Sequence, residues 1–118
     1  MEATAERVTS AYVDELLAGY AVDLPRLIEE GSEKNQGAAD PVVVQGIETA
    51  TVCPHHLLVA RGTALVAYEP GALVLGLGTV ARLVDAVCRR FTLQEEIAWK
   101  ITEALEKYAG AQLSLIHI

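Results

Sequence analysis

The chain has 118 residues, 52% of them hydrophobic and only 5% aromatic, with a formal net charge of −7, which allows one domain with an aliphatic core of modest size. The acidic balance argues against a general binder of nucleic acid or of anionic membranes, and no stretch reads as a secretory leader or a membrane span. Two cysteines in unlike contexts give no disulfide framework and suit a reducing cytoplasm, while apolar content beyond what one small subunit can bury points to a homo-oligomer.

In chain order, Thr4 can cap an amphipathic helix over residues 4–17, with Val8, Tyr12, Val13 and Leu16 on one side and Gly19 as its stop. Residues 20–40 read as a flexible loop with a short helical turn at Leu24-Pro25. Pro41 opens a β-branched strand over 42–51, and a second strand is expected over 57–68. A turn at Glu69-Pro70-Gly71-Ala72 leads to a short apolar run over 73–77. Two helices follow, one striped by Val80, Leu83, Val84 and Val87, the other by Ile97, Ile101, Ala104, Leu105 and Tyr108. Cys88 beside the first stripe reads as a small core residue.

Between the two strands stands Cys53-Pro54-His55-His56. A thiolate and an imidazole at C-x-x-H spacing can turn onto one zinc ion at roughly 2.3 and 2.0–2.1 Å, which makes Cys53 and His56 candidate ligands and leaves His55 for proton transfer. A structural cysteine followed by two surface histidines would give the same four letters.

Four ordered segments carry a resemblance that covers most of the chain. Thr4-Ala5-Glu6-Arg7-Val8 with Tyr12-Val13-Asp14-Glu15-Leu16 resembles the lead helix of GTP cyclohydrolase I, and Cys53-Pro54-His55-His56 its C-E-H-H motif. Gly76-Leu77-Gly78-Thr79 with Arg82 resembles its G-L-S-K-x-x-R segment, and Leu93-Gln94-Glu95 its V-Q-E signature. Motifs gain weight when their order and context agree.

The resemblance implies an α+β tunnelling fold: antiparallel strand pairs flanking two helices, subunits assembled around a barrel, and active sites between subunits. It implies zinc-dependent hydrolysis of the imidazole ring of GTP, with C8 released as formate and 7,8-dihydroneopterin triphosphate formed for folate-type pterins. By position, Cys53 and His56 become two zinc ligands and His55 the proton donor to the purine. A histidine there could equally orient a ligand by hydrogen bonding. Gln94 and Glu95 fall at the guanine edge; Thr92-Leu93-Gln94-Glu95 is also a T-x-x-E capping box, which would account for the glutamate by itself. Arg82, Gly78 and Thr79 fall where the triphosphate binds, at a helix N-terminus whose free N–H groups attract anions, although Arg82 on a solvated helix face would look the same.

Four departures from the family pattern stand out, and they leave the zinc half-site intact while diluting the phosphate half. Thr79 stands for the family's lysine, Gly78 for its serine, Glu96 for its basic residue after Q-E, and Pro54 for the glutamate of C-E-H-H. A lost lysine and a gained carboxylate weaken the grip on a triphosphate, a pattern that suits a paralogue acting on a less charged purine, a slow GTP enzyme, or a non-catalytic module that binds zinc or purine or is purely structural.

The family continues into two further strands bearing a third zinc ligand in an H-x-C segment, whereas this chain stops at His117-Ile118. Too few residues follow Gly110 for a connecting turn and a typical strand of about 5–6 residues. Leu113-Ser114-Leu115-Ile116-His117-Ile118 can be encoded by the end of a transposon adapter used in shotgun libraries. The expectation is one partial domain, with 1–40 as helix and loop, 41–112 as the folded portion and 113–118 as a non-native tail, inactive unless completed. The competing reading of the tail is a natural strand of alternating apolar residues.

Overall fold

The computed structural model describes residues 3–37 and 40–118, with the side chain of Leu113 left aside. Four α-helices, α1 Thr4–Ser10, α2 Leu24–Glu30, α3 Leu77–Cys88 and α4 Gln94–Ala109, combine with five strands, β1 Ser32–Lys34, β2 Val42–Val52, β3 Val59–Glu69, β4 Leu73–Leu75 and β5 Leu113–His117. Both sheets are antiparallel: β1 pairs with β4, and β2, β3 and β5 lie in that order. The expected strand pair and two closing helices are therefore present, and three further strands and two further helices accompany them among the described residues.

The β2–β3 ribbon runs in register from Val42 opposite Tyr68 to Val52 opposite Val59, with one extra residue on β2 between Val44 and Ile47. Gly46 absorbs it at φ 68°, a conformation that costs glycine no Cβ clash. The stripe residues Val80, Leu83, Val84 and Val87 of α3 and Ile97, Ile101, Ala104 and Leu105 of α4 are all buried, packed against Val66 and Tyr68 of β3. Cys88 joins them in the core, as its position on the stripe predicts. Helix α4 ends at Gly110, left-handed at φ 69°, as a C-terminal glycine should.

Several expectations need correction. Only residues 4–10 of the lead segment are α-helical; Ala11–Leu16 widens into a π-helical turn and Ala18–Ala21 tightens into a 3-10 turn. Thr4 is inside the helix, with Ala3 at the cap. The stripe of that helix is not buried within this chain: Val8 and Val13 are 51% and 60% exposed. Gly19 does not stop the helix but lets the 3-10 turn touch α3, where a Cβ would lie 2.0 Å from the carbonyl oxygen of Ala86.

The helical turn expected at Leu24-Pro25 is present as the longer α2, started by the Asp23 side chain accepting the N–H of Arg26, whereas the stretch read as a loop after it contains β1, whose partner β4 lies about forty residues away and cannot be seen in local pattern. The second strand begins at Val59 rather than Leu57, and the apolar run ends at Leu75, with Leu77 opening α3. After Gly110, Ala111 and Gln112 suffice for the turn, so Leu113–His117 forms a five-residue strand along β3. Alternating apolar residues facing an open strand edge are enough to drive that pairing, whatever their origin.

Candidate functional site

Val52, fully buried, is the last point at which the ribbon is anchored to the core. Its N–H donates to the Arg90 carbonyl and its own carbonyl accepts the N–H of Thr92, so the α3–α4 connection grips the chain one residue before Cys53. Beyond it, residues 57–63 are all exposed. The sequence places Cys53 where a rigid frame gives way to solvent.

The turn 53–58 closes on itself. The N–H of Cys53 donates to the Leu58 carbonyl at 2.9 Å and the N–H of Leu57 to the Cys53 carbonyl at 2.8 Å. Leu57 turns left-handed at φ 58°, an uncommon choice for a branched side chain. It brings the Cys53 Sγ to 3.9 Å from His56 Nδ1. Bonds of about 2.3 and 2.0–2.1 Å meeting at a tetrahedral angle put sulfur and nitrogen about 3.6 Å apart, so both atoms can turn onto one ion with little movement. The His56 side chain, then the backbone N–H groups of His56 and His55, stabilise the thiolate and lower the Cys53 pKa to about 7. The His55 ring stands 6.3 Å from that of His56 and edge-on to it, exposed.

This is the donor chemistry of a zinc half-site. Among the described residues no group of three histidine, cysteine, aspartate or glutamate side chains comes together around it. Tyr12, from the π-helical turn, is a participant that the sequence pattern did not mark: its hydroxyl donates to the Leu57 carbonyl at 2.8 Å. Only its place in the lead-helix resemblance could have drawn attention to it.

The other candidates lie elsewhere. Arg82 is exposed on α3, facing a shallow depression formed by the β2 bulge at Gln45 and Gly46 together with Asp85, and its guanidinium donates to the Thr79 hydroxyl at 3.4 Å. Thr79 is only 2% exposed, and its hydroxyl donates to the Gly31 carbonyl at 2.9 Å. Gly78 is exposed, and a Cβ there would find only Arg82 nearby, at 3.8 Å. Arg89 and Arg90 are engaged structurally, Arg89 with Asp85 and the Glu15 carbonyl, Arg90 with the carbonyls of Ala86 and Gly19 and over the Tyr20 ring.

The T-x-x-E capping box does not form. Helix α4 is capped by Leu93 without a side-chain bond, and the Thr92 N–H that a box would use is committed to Val52. Glu95 is thereby left exposed, beside Gln94, in a depression shared with Ile116, His117 and Ile118. Gln94 donates to the Ile118 carbonyl at 3.3 Å.

Among solved structures, the chain is similar to archaeosine synthase QueF-Like in the apo form, with a TM-score of 0.60 and 22% identity over 68% of this chain and 79% of that one. That likeness carries the fold alone, and the fold is the α+β tunnelling fold. In sequence it is 38% identical over 109 residues to GTP cyclohydrolase 1 of Ralstonia nicotianae, covering 92% of this chain and 51% of the relative. It is 38% identical over 116 residues to GTP cyclohydrolase 1 of Leifsonia xyli subsp. xyli, covering 98% and 60%. It is 42% identical over 97 residues to GTP cyclohydrolase 1 2 of Pseudomonas syringae pv. tomato, covering 82% and 53%. The chain spans roughly half the length of these curated relatives. The GTP cyclohydrolase I family matches it along residues 1–118, from the lead helix through the Cys53 turn to the last strand, and the chain belongs to that family.

Proposed function

We propose that this chain is the Cys/His-bearing part of a zinc-dependent GTP cyclohydrolase, one that hydrolyses the imidazole ring of GTP, releases C8 as formate and yields 7,8-dihydroneopterin triphosphate. The observation that carries the reading is the Cys53–His56 pair, 3.9 Å apart in a chain that matches the family throughout. Cys53 and His56 would hold the metal, joined by a third ligand from outside the pair. Zinc so held supplies Lewis acidity toward water and purine at neutral pH.

The chain's own residues do the rest. The His56 side chain, then the backbone N–H groups of His56 and His55, lower the Cys53 pKa to about 7 and so ease the deprotonation that a metal ligand requires. His55, exposed beside the pair, is placed to move a proton to or from the purine ring. Glu95, free of the cap, can accept two N–H donors from a guanine edge with Gln94 beside it, and Arg82 with the backbone at Gly78 offers positive charge to phosphate. These groups occupy separate places on one subunit. That separation supports an active site completed between copies of a homo-oligomer, with neither nucleic acid nor membrane as partner.

One observation favours a less charged purine than GTP. Thr79, standing for the family's lysine, is buried with its hydroxyl committed to Gly31, so this stretch of α3 presents Arg82 as its cation. The test is metal analysis beside formate release from GTP and from guanosine, on a whole protein containing this chain and on two variants. Cys53→Ser should lose metal and turnover together, and His55→Ala should keep metal and lose turnover. Zinc binding without opening of either purine would replace the enzyme reading with a binding module.

A further inference from the structure

The geometry points to Tyr12 as a positioning residue for the Cys53–His56 pair: its hydroxyl fixes the left-handed peptide at Leu57 that turns His56 toward the Cys53 sulfur. This rests on the reading of Cys53 and His56 as metal ligands. Three observations converge on it.

The first is the conformation of the turn. Leu57 holds φ 58°, where an L side chain crowds its own backbone and where glycine or asparagine is the usual occupant. Such a residue persists only where its surroundings over-determine it. Here the Leu57 N–H is bound to the Cys53 carbonyl, the Leu58 carbonyl accepts the Cys53 N–H, and the Leu57 carbonyl receives the Tyr12 hydroxyl. The first two bonds belong to the turn itself. Tyr12 belongs to another element, 45 residues away in sequence.

The second is the element that carries Tyr12. Ala11–Leu16 is π-helical, and the N–H of Leu17 reaches back to the Tyr12 carbonyl at 2.7 Å. A π-turn inserts a residue into the helical register and re-aims the side chains beside it, a device met often at functional sites.

The third is that the carrier is itself tied down. The Glu15 carbonyl accepts Arg89 Nη1 at 3.0 Å, and Arg89 Nε is held by Asp85 at 2.8 Å, so the π-turn is fastened to the C-terminal end of α3. Tyr12 thus hangs from the core and reaches an exposed turn that has no apolar packing to rigidify it. With the Leu57 carbonyl released, the peptide that follows His56 is free to leave the left-handed region, and the imidazole direction goes with it.

Tyr12→Phe in a whole protein containing this chain, where a third ligand can join the pair, removes the hydroxyl and keeps the ring. Two readouts are needed: hydrogen exchange of the Leu57 amide, and Co²⁺ binding followed by the thiolate-to-cobalt absorption band. One modest hydrogen bond corresponds to about 3- to 10-fold, so exchange at Leu57 should accelerate and Co²⁺ affinity fall by about that factor, with circular dichroism unchanged. Adding Leu57→Gly to Tyr12→Phe should restore Co²⁺ affinity, because glycine enters the left-handed region without the side-chain penalty. A residue that merely supported the fold would show no such rescue. Unchanged exchange at Leu57 in Tyr12→Phe overturns the inference, as does Co²⁺ affinity equal to the parent's. If the parent develops no cobalt band, the metal reading fails and the exchange rates alone decide whether Tyr12 holds the turn.

Discussion

Thr79 and Gly31 are joined side chain to backbone: the threonine hydroxyl donates to the glycine carbonyl at 2.9 Å, tying the first turn of α3 to the end of α2. The same carbonyl accepts the N–H of Gly76. The contact is tight enough that a Cβ on Gly31 would fall 2.1 Å from the Thr79 hydroxyl oxygen. A position that could have faced a phosphate instead closes the core.

Replacing Thr79 therefore tests packing. Thr79→Val should cost about 1 kcal/mol, since the Gly31 carbonyl keeps its second donor. Thr79→Lys, which restores the family's residue, should cost more than about 2 kcal/mol, because a long charged chain has no room at a position so nearly enclosed. Urea denaturation with unchanged slope is the measurement. A lysine variant as stable as the parent would show that the α3 start can turn outward.

Tyr68 and Leu75 give a second stability test. The buried Tyr68 hydroxyl accepts the Leu75 N–H at 3.0 Å, linking β3 to β4 across the two sheets. Tyr68→Phe keeps the ring and strands the donor, and should lower stability by about 1–3 kcal/mol. A phenylalanine variant that melts with the parent would mean that the Leu75 amide finds another acceptor.

Gly19 is held to glycine by contact. Gly19→Ala would drive a methyl group to within 2.0 Å of the Ala86 carbonyl oxygen and 2.8 Å of the Arg89 carbonyl oxygen, both backbone atoms. The expected loss exceeds about 2 kcal/mol, and the 3-10 turn should detach from α3, breaking the Gly19 N–H bond to Arg89. Faster hydrogen exchange at Gly19 in the alanine variant, beside a lowered melting temperature, is the expected pair of results; an unshifted melting temperature would contradict the packing.

The two thiols should separate cleanly. Burial, then the nearby Asp85 carboxylate, raises Cys88 to about 12, whereas Cys53 is accessible at the turn. Iodoacetamide at neutral pH should label Cys53 in the native protein and Cys88 only after unfolding. The sign for stability follows from proton counts. Between the ordinary thiol value of 9.0 and about 12, the native state keeps the Cys88 proton that the unfolded chain has lost. Stability is therefore unaffected by Cys88 below pH 9 and falls as pH rises through that window. Cys88→Ala should flatten this alkaline slope while lowering stability at neutral pH; an unchanged slope would assign it to other groups, such as Tyr68, which burial also raises.

The sequence by itself determined the elements whose information is periodic and short in range. The stripes of α3 and α4 follow from 3.6-residue spacing, the ribbon from β-branched runs on either side of Cys53, and the Cys53–His56 pairing from three-residue spacing across a turn. The order of four motifs carried the family. Other features depended on partners far along the chain, which no local pattern encodes. Strand β1 is held by β4, Thr79 was turned inward by Gly31, and the capping box at Thr92 gave way because Val52 took its N–H. The left-handed Leu57 under the Tyr12 hydroxyl belongs with these: a leucine does not advertise such a backbone, and only the tertiary structure brings the tyrosine that holds it.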